Sequence, residues 1–234
     1  FKELFDPNMP FVETMAQAFG DWPSGPPGDW IPAQDEQEAP RSQIEVRKTE
    51  QAYINLAARG YPIGHPDRFA LDLLSVALGE GMSSRLFLEV REKRSLAYEI
   101  HSYVSHFLDS GAFTVFAAVD PKRLKDAVAA LVEELRRLKE EGIPPEEMKK
   151  VREMTKGRLL LRMEDTRSVA GWGGTQMLLL GRILTVDEVM AIVDGITAAD
   201  LRRVAQSLLV REKLNLAVVG PLRRNGRMAP LLSL

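Results

Sequence analysis

The chain has 234 residues, with 31 Lys and Arg against 33 Asp and Glu, 45% hydrophobic residues, three His and no Cys. At about 150 residues per domain this is one large domain, or one domain plus a fragment, and it can bury a core without disulfides. The absence of cysteine excludes a disulfide scaffold, thiolate catalysis and Cys-ligated metal centres, the net charge of −2 gives no bias toward nucleic acid or anionic membrane, and no apolar run reaches the ~18–20 residues of a membrane span.

In chain order, Phe11, Met15, Ala18 and Phe19 fall at helical spacing, with Pro10 suited to a first turn and Gly20 to a stop. Residues 1–20 therefore read as the end of a preceding domain. Asp21 to Arg41 holds five prolines and two glycines, which bars it from a sheet interior or a long helix and makes it an extended linker. Trp22 and Trp30 are expected to pin that linker to a surface. A folded domain then runs from Ser42 to Pro221, followed by a tail, residues 222–234, whose Arg223, Arg224 and Arg227 form a short basic run.

Within the domain, Ile44 to Lys48 and Tyr53 to Ala58 read as strands. Pro66 opens a helix with Phe69, Ala70, Leu73, Leu74 and Ala77 on one stripe, and Gly79 and Gly81 stop it. Ser83 or Ser84 caps a second helix through Leu86, Phe87 and Val90. Tyr98 to Leu108 alternates as a long strand, and Asp109-Ser110-Gly111 turns it into Ala112 to Val119. Asp120-Pro121 starts a helix that lasts until Gly142, and Pro144-Pro145 starts another reaching Met163. A helix from Arg167 to Leu180 contains Gly171, Gly173 and Gly174, for which close packing or a kink is the expected reason. Thr185 with Glu188, and Thr197 with Asp200, cap two more helices. Lys213 to Val219 closes the chain as a strand. Paired strands and clustered helices make an α+β domain: an antiparallel-rich sheet with helices packed on one face.

Few residues point to chemistry. His101 and His106 lie five apart on a strand, so they face opposite sides, and neither belongs to a helical metal-binding pair. Gly79-Glu80-Gly81 follows a helix, which is the wrong setting for a phosphate loop. The charge runs of the 120–142 helix mix signs opposite its apolar stripe and read as a solvated face. One segment remains, Arg91-Glu92-Lys93-Arg94-Ser95-Leu96-Ala97-Tyr98, where a helix ends and a strand begins. There an Arg and a Tyr can converge as charged and neutral donors on a peptide carbonyl, a carboxylate or a developing oxyanion. On spacing alone a structural role is favoured over that one.

Gly81-Met82-Ser83-Ser84-Arg85-Leu86-Phe87, followed by the segment from Arg91 to Tyr98, resembles the second-domain motif of the pitrilysin-like zinc metallopeptidases. The resemblance extends from about Ser42 to Pro221. It implies two facing α+β domains: a first that carries zinc on His-x-x-Glu-His, and a second whose Arg/Tyr pair holds substrate near the metal. By position Arg91 and Tyr98 match that pair, and Ser95 stands where Gly is commoner. The zinc motif is absent from this sequence, and Phe1 to Asn8 does not continue the expected catalytic domain.

The resemblance therefore implies a substrate-binding C-terminal half, inactive alone, with no cofactor or metal of its own. Zinc is expected in a partner catalytic domain or subunit. Its other expected partner is an extended peptide substrate; no nucleic acid or membrane is expected, self-association is possible, and the default setting is cytoplasmic. The alternatives are a non-catalytic scaffold of the same family, or a peptide-binding module that uses a sheet edge.

Overall fold

The computed structural model of the chain describes residues 10–23, 25, 26, 28, 31–222 and 228–234; the expectations for Phe1 to Asn8, Trp30 and the Arg223, Arg224 and Arg227 run lie outside them. The chain divides into two compact units, one ending at Ala33 and one from Gln34 to Leu234. In the first, α1 (Pro10–Phe19) ends as the Gly20 N–H donates to the Ala16 carbonyl at 2.7 Å. Trp22 meets Phe19 edge-on, with ring centroids 5.1 Å apart.

The second unit is built on five strands, β1 (Arg41–Val46), β2 (Ala52–Arg59), β3 (Ala97–His106), β4 (Gly111–Val119) and β5 (Asn215–Gly220), in the order β1-β5-β2-β4-β3. Every neighbouring pair is antiparallel except β1 with β5, which is parallel. The two-residue alternation decides which face is covered. Ala52, Ile54, Leu56 and Ala58 of β2 are buried while Tyr53 between them is exposed, and Phe113, Val115, Ala117, Leu216 and Val218 continue the inner face. The sequence places β1 and β2 next to each other, but β5 inserts between them. The last strand thereby closes the sheet against the first.

Helices lie on the inner face: α2 (Arg68–Gly79) and α3 (Leu124–Glu141) meet the sheet, α4 (Pro145–Arg162), α6 (Val186–Gly195) and α7 (Ala198–Leu208) pack against α2, and α5 (Thr166–Leu180) links α4 to α6. Leu71, Leu74 and Leu78 of α2 and Leu131, Leu135 and Leu138 of α3 are almost fully buried, each worth about 1.5–3 kcal/mol over exposure. This is the α+β arrangement expected from the sequence. Among the described residues, no helix is long and apolar enough to cross a membrane.

The helix ends follow their chemistry. Thr185 and Glu188 form a reciprocal capping box on α6, as do Thr197 and Asp200 on α7. Asp67, which precedes α2, spends its carboxylate on Arg203 instead, at 2.6 and 2.8 Å. Helix α5 runs through its glycines. Only Gly173 comes near a neighbour, 3.6 Å from Ile183 Cδ1 to a built β-carbon, while Gly171 and Gly174 face open space, so close packing does not explain them. After β5 the chain returns to the core, with Met228 and Leu232 buried.

Candidate functional site

The corner between α2 and β3 is built by a sequence of local decisions. After Gly81, which takes φ +86°, Ser84 Oγ turns back to donate to the Gly81 carbonyl at 2.7 Å rather than capping the next helix. Arg85 then reaches across to α4. Its Nε and Nη2 donate to the two Glu147 oxygens at 2.8 and 2.7 Å, and Nη2 also donates to the Gly142 carbonyl at 2.7 Å. The following turns, Phe87–Lys93, form a π-helix, a geometry that concentrates at functional sites. Val90, fully buried, anchors it from below, and its carbonyl accepts the Leu96 N–H at 3.0 Å.

That hydrogen bond closes a turn through Ser95, which has a φ of +49° and is the one non-glycine among the described residues with positive φ. Strand β3 then begins with a bulge. Ala97 pairs with Val119 and Glu99 with Ala118, so Tyr98 is the extra residue, unpaired in the ladder and 60% exposed. Bulges of this kind re-aim a side chain, and here the one re-aimed is the tyrosine.

Arg91 and Tyr98 line the same open depression of about 380 Å³, together with Glu92, Ser95, Asp120 and Arg123. Arg123 Nη1 donates to the Arg94 and Ser95 carbonyls at 3.4 and 3.5 Å, which ties the turn to the start of α3. Asp120 caps the 3-10 turn Pro121–Arg123 that leads into α3, accepting from the Lys122 N–H at 2.8 Å. Of the nearby cations, Lys93 is engaged, pairing with Glu89 at 2.5 Å. Among the described residues, no hydrogen bond or ion pair holds the Arg91 guanidinium or the Tyr98 phenol. Arg91 lies instead over the Phe87 ring, with Cζ 4.9 Å from its centroid. Five guanidinium N–H donors and one phenolic O–H are thus presented to one space, a set suited to a carbonyl, a carboxylate or an oxyanion.

The three histidines do not add a metal. His101 sits on the uncovered sheet face, 5.0 Å from the Phe116 ring. His65 stacks on Tyr61 at 3.9 Å, and its Nδ1 accepts the Asp67 N–H. His106 is held by the Tyr61 carbonyl and by Asp72 of α2, on the opposite side of β3 from His101. Among the described residues, no three His, Asp or Glu side chains converge, so a zinc ion, which takes three or four such ligands, has no fit in them.

The sequence singles out Arg91 and Tyr98 but misses what supports them. Phe87 was legible as an aromatic four residues before Arg91, a spacing that stacks side chains on a helix. Arg123 and Asp120 join the site only through the sheet pairing, which no local pattern reveals.

Residues 10–155 match the profile described as the peptidase M16 inactive domain. A Streptomyces coelicolor protein named an uncharacterized zinc protease is 38% identical over 185 residues, covering 79% of this chain and 40% of that protein. A Bacillus subtilis protein of the same description is 35% identical over 175 residues, covering 75% and 42%. The chain thus spans about two fifths of the length of these relatives. Among solved structures, a peptidase M16 inactive domain from Pseudomonas fluorescens shares the fold with a TM-score of 0.80 at 20% identity, covering 92% of this chain and 52% of that one. A protease from Helicobacter pylori has a TM-score of 0.76 at 22% identity, covering 91% and 52%.

Proposed function

The chain belongs to the peptidase M16 family, matching its inactive domain, and from that premise we propose that it is the C-terminal, substrate-binding half of a zinc-dependent metalloendopeptidase. In this reading Arg91 and Tyr98 hold an extended peptide against zinc carried by a partner catalytic domain. The partner is on the same polypeptide or a separate subunit, and it supplies the metal-activated water that peptide hydrolysis needs. This chain's own contribution is positional and electrostatic. The Arg91 guanidinium donates to a substrate carbonyl or a developing oxyanion, and the Tyr98 hydroxyl adds a neutral donor beside it.

One observation carries the reading. Two donors seven residues apart share one open depression, and neither is used by the fold. Both side chains line that depression with their donors open to solvent or to a ligand. The π-helix, the left-handed Ser95 turn and the β3 bulge together place them there.

The test mixes this chain with a zinc-bearing catalytic domain of the family and follows cleavage of an extended peptide. Arg91→Ala and Tyr98→Phe lower the rate without altering the melting of the chain. Wild-type rates from both variants would remove the assigned role and leave a scaffold reading in its place.

A further inference from the structure

We propose that Phe87 is the positioning residue of Arg91, acting through a cation–π contact that fixes the guanidinium without consuming any of its donors. The proposal deepens the substrate-holding reading above and rests on it. The contact itself is in the geometry: Arg91 Cζ stands 4.9 Å from the Phe87 ring centroid, inside the ~6 Å range of such attractions. Among the described residues it is the one interaction that holds the Arg91 head group.

A free arginine on an exposed helix samples many rotamers, and a ligand must order it on binding. A carboxylate partner would order it in advance, as Glu147 orders Arg85 six residues earlier through two hydrogen bonds. That solution occupies donors and cancels the charge. The face of an aromatic ring orders the guanidinium and leaves all five N–H groups and the full charge available to a substrate. The pair therefore differs in kind from Arg85–Glu147: one arginine is committed to the fold, the other is held ready.

Position supports the same division. Phe87 and Arg91 open and nearly close the π-helix Phe87–Lys93, one turn apart on one side of it. Phe87 is half-buried and Arg91 exposed, so the ring is the fixed partner and the guanidinium the mobile one. An exposed contact of this type corresponds to roughly two- to fivefold in an equilibrium.

Two measurements on the full chain test it, one of them independent of any substrate. In NMR spectra the Arg91 Hδ and Hε resonances, assigned by their loss in Arg91→Lys, are expected upfield through the Phe87 ring current. Phe87→Leu abolishes that displacement, and Phe87→Trp keeps it. Calorimetric titration with a capped, extended dodecapeptide is expected to show two- to fivefold weaker binding in Phe87→Leu, with affinity restored in Phe87→Trp and the salt dependence of wild type retained. Arg91→Ala weakens binding and flattens the salt dependence.

Arg91 resonances unaltered by Phe87→Leu would overturn the proposal. So would a folded Phe87→Leu chain that binds like wild type while Arg91→Ala loses affinity. If Phe87→Leu does not fold, Phe87→Trp decides, because loss of the ring-current displacement there also overturns it. Failure of Arg91→Ala to weaken binding counts against the substrate-holding reading, while the resonance shift still decides the positioning claim.

Discussion

Gly79 of α2 and Ser102 of β3 meet backbone to backbone: a β-carbon built on Gly79 would lie 2.4 Å from the Ser102 amide nitrogen and 2.6 Å from its Oγ. The approach lets Ser102 Oγ donate to the Ser75 carbonyl at 2.8 Å and accept from Ser75 Oγ at 3.2 Å, so the buried hydroxyls are satisfied across the helix–strand seam. Both elements are arms of the corner that carries Arg91 and Tyr98. Gly79→Ala is therefore expected to force them apart and cost about 1–3 kcal/mol, read as a fall in the denaturation midpoint. An unchanged midpoint would mean the seam yields freely.

His106 makes stability depend on pH. Burial is the largest influence on its ring and opposes charging, but the hydrogen bonds to Asp72 and to the Tyr61 carbonyl, with the Asp72 charge, outweigh it and raise the pKa above the ordinary 6.5 despite opposition from Arg68. A pKa raised by folding contributes stability that is complete below about 6.5 and disappears as pH climbs through the higher folded value. Wild type should gain melting temperature over His106→Gln as pH falls from about 8.5 to about 6. Parallel pH profiles for the two proteins would show that the imidazolium contributes nothing.

The Arg85 fork is expected to be structural. Its side chain is 15% exposed and that of Glu147 24%, with bidentate geometry and a third bond to Gly142. Arg85→Ala and Arg85→Lys should both destabilise, the first by about 1.5–3 kcal/mol, because lysine cannot reproduce the fork. Equilibrium unfolding in urea gives the number. A lysine variant as stable as wild type would reduce the interaction to simple charge.

Ser95 occupies left-handed backbone space at φ +49°. Glycine enters that region without the β-carbon penalty of about 1–2 kcal/mol, although it loses part of the gain to its greater unfolded entropy. Ser95→Gly should therefore stabilise the chain by about 0.5–1 kcal/mol and leave the Arg91 and Tyr98 donors in place. Destabilisation on thermal melting would reveal a contribution of the serine side chain that its backbone geometry does not require.

Much of this was legible from local pattern. Helices α2 and α3 followed their apolar stripes, and Thr185 with Glu188 and Thr197 with Asp200 marked helix starts because capping is chemistry within four residues. Strand order was not legible, since the parallel pairing of Arg41 with Asn215 joins residues at opposite ends of the domain. The π-helix escaped because widening one turn by a single residue leaves no trace in a short apolar pattern. The Tyr98 bulge escaped for a related reason: an inserted residue is visible only against the strand it pairs with. The resemblance is what singles out Arg91 and Tyr98 as candidates. Only the fold explains how a helix end and a strand start offer both to one depression.

The central claim is that Arg91 and Tyr98 hold peptide for a zinc-bearing partner domain, and the most direct measurement is cleavage of an extended peptide by the two halves together. Arg91→Ala and Tyr98→Phe should each reduce kcat/KM by about tenfold or more, with the melting temperature of the chain unchanged. Wild-type kcat/KM from both variants, in a mixture that the unmodified chain renders active, would contradict it.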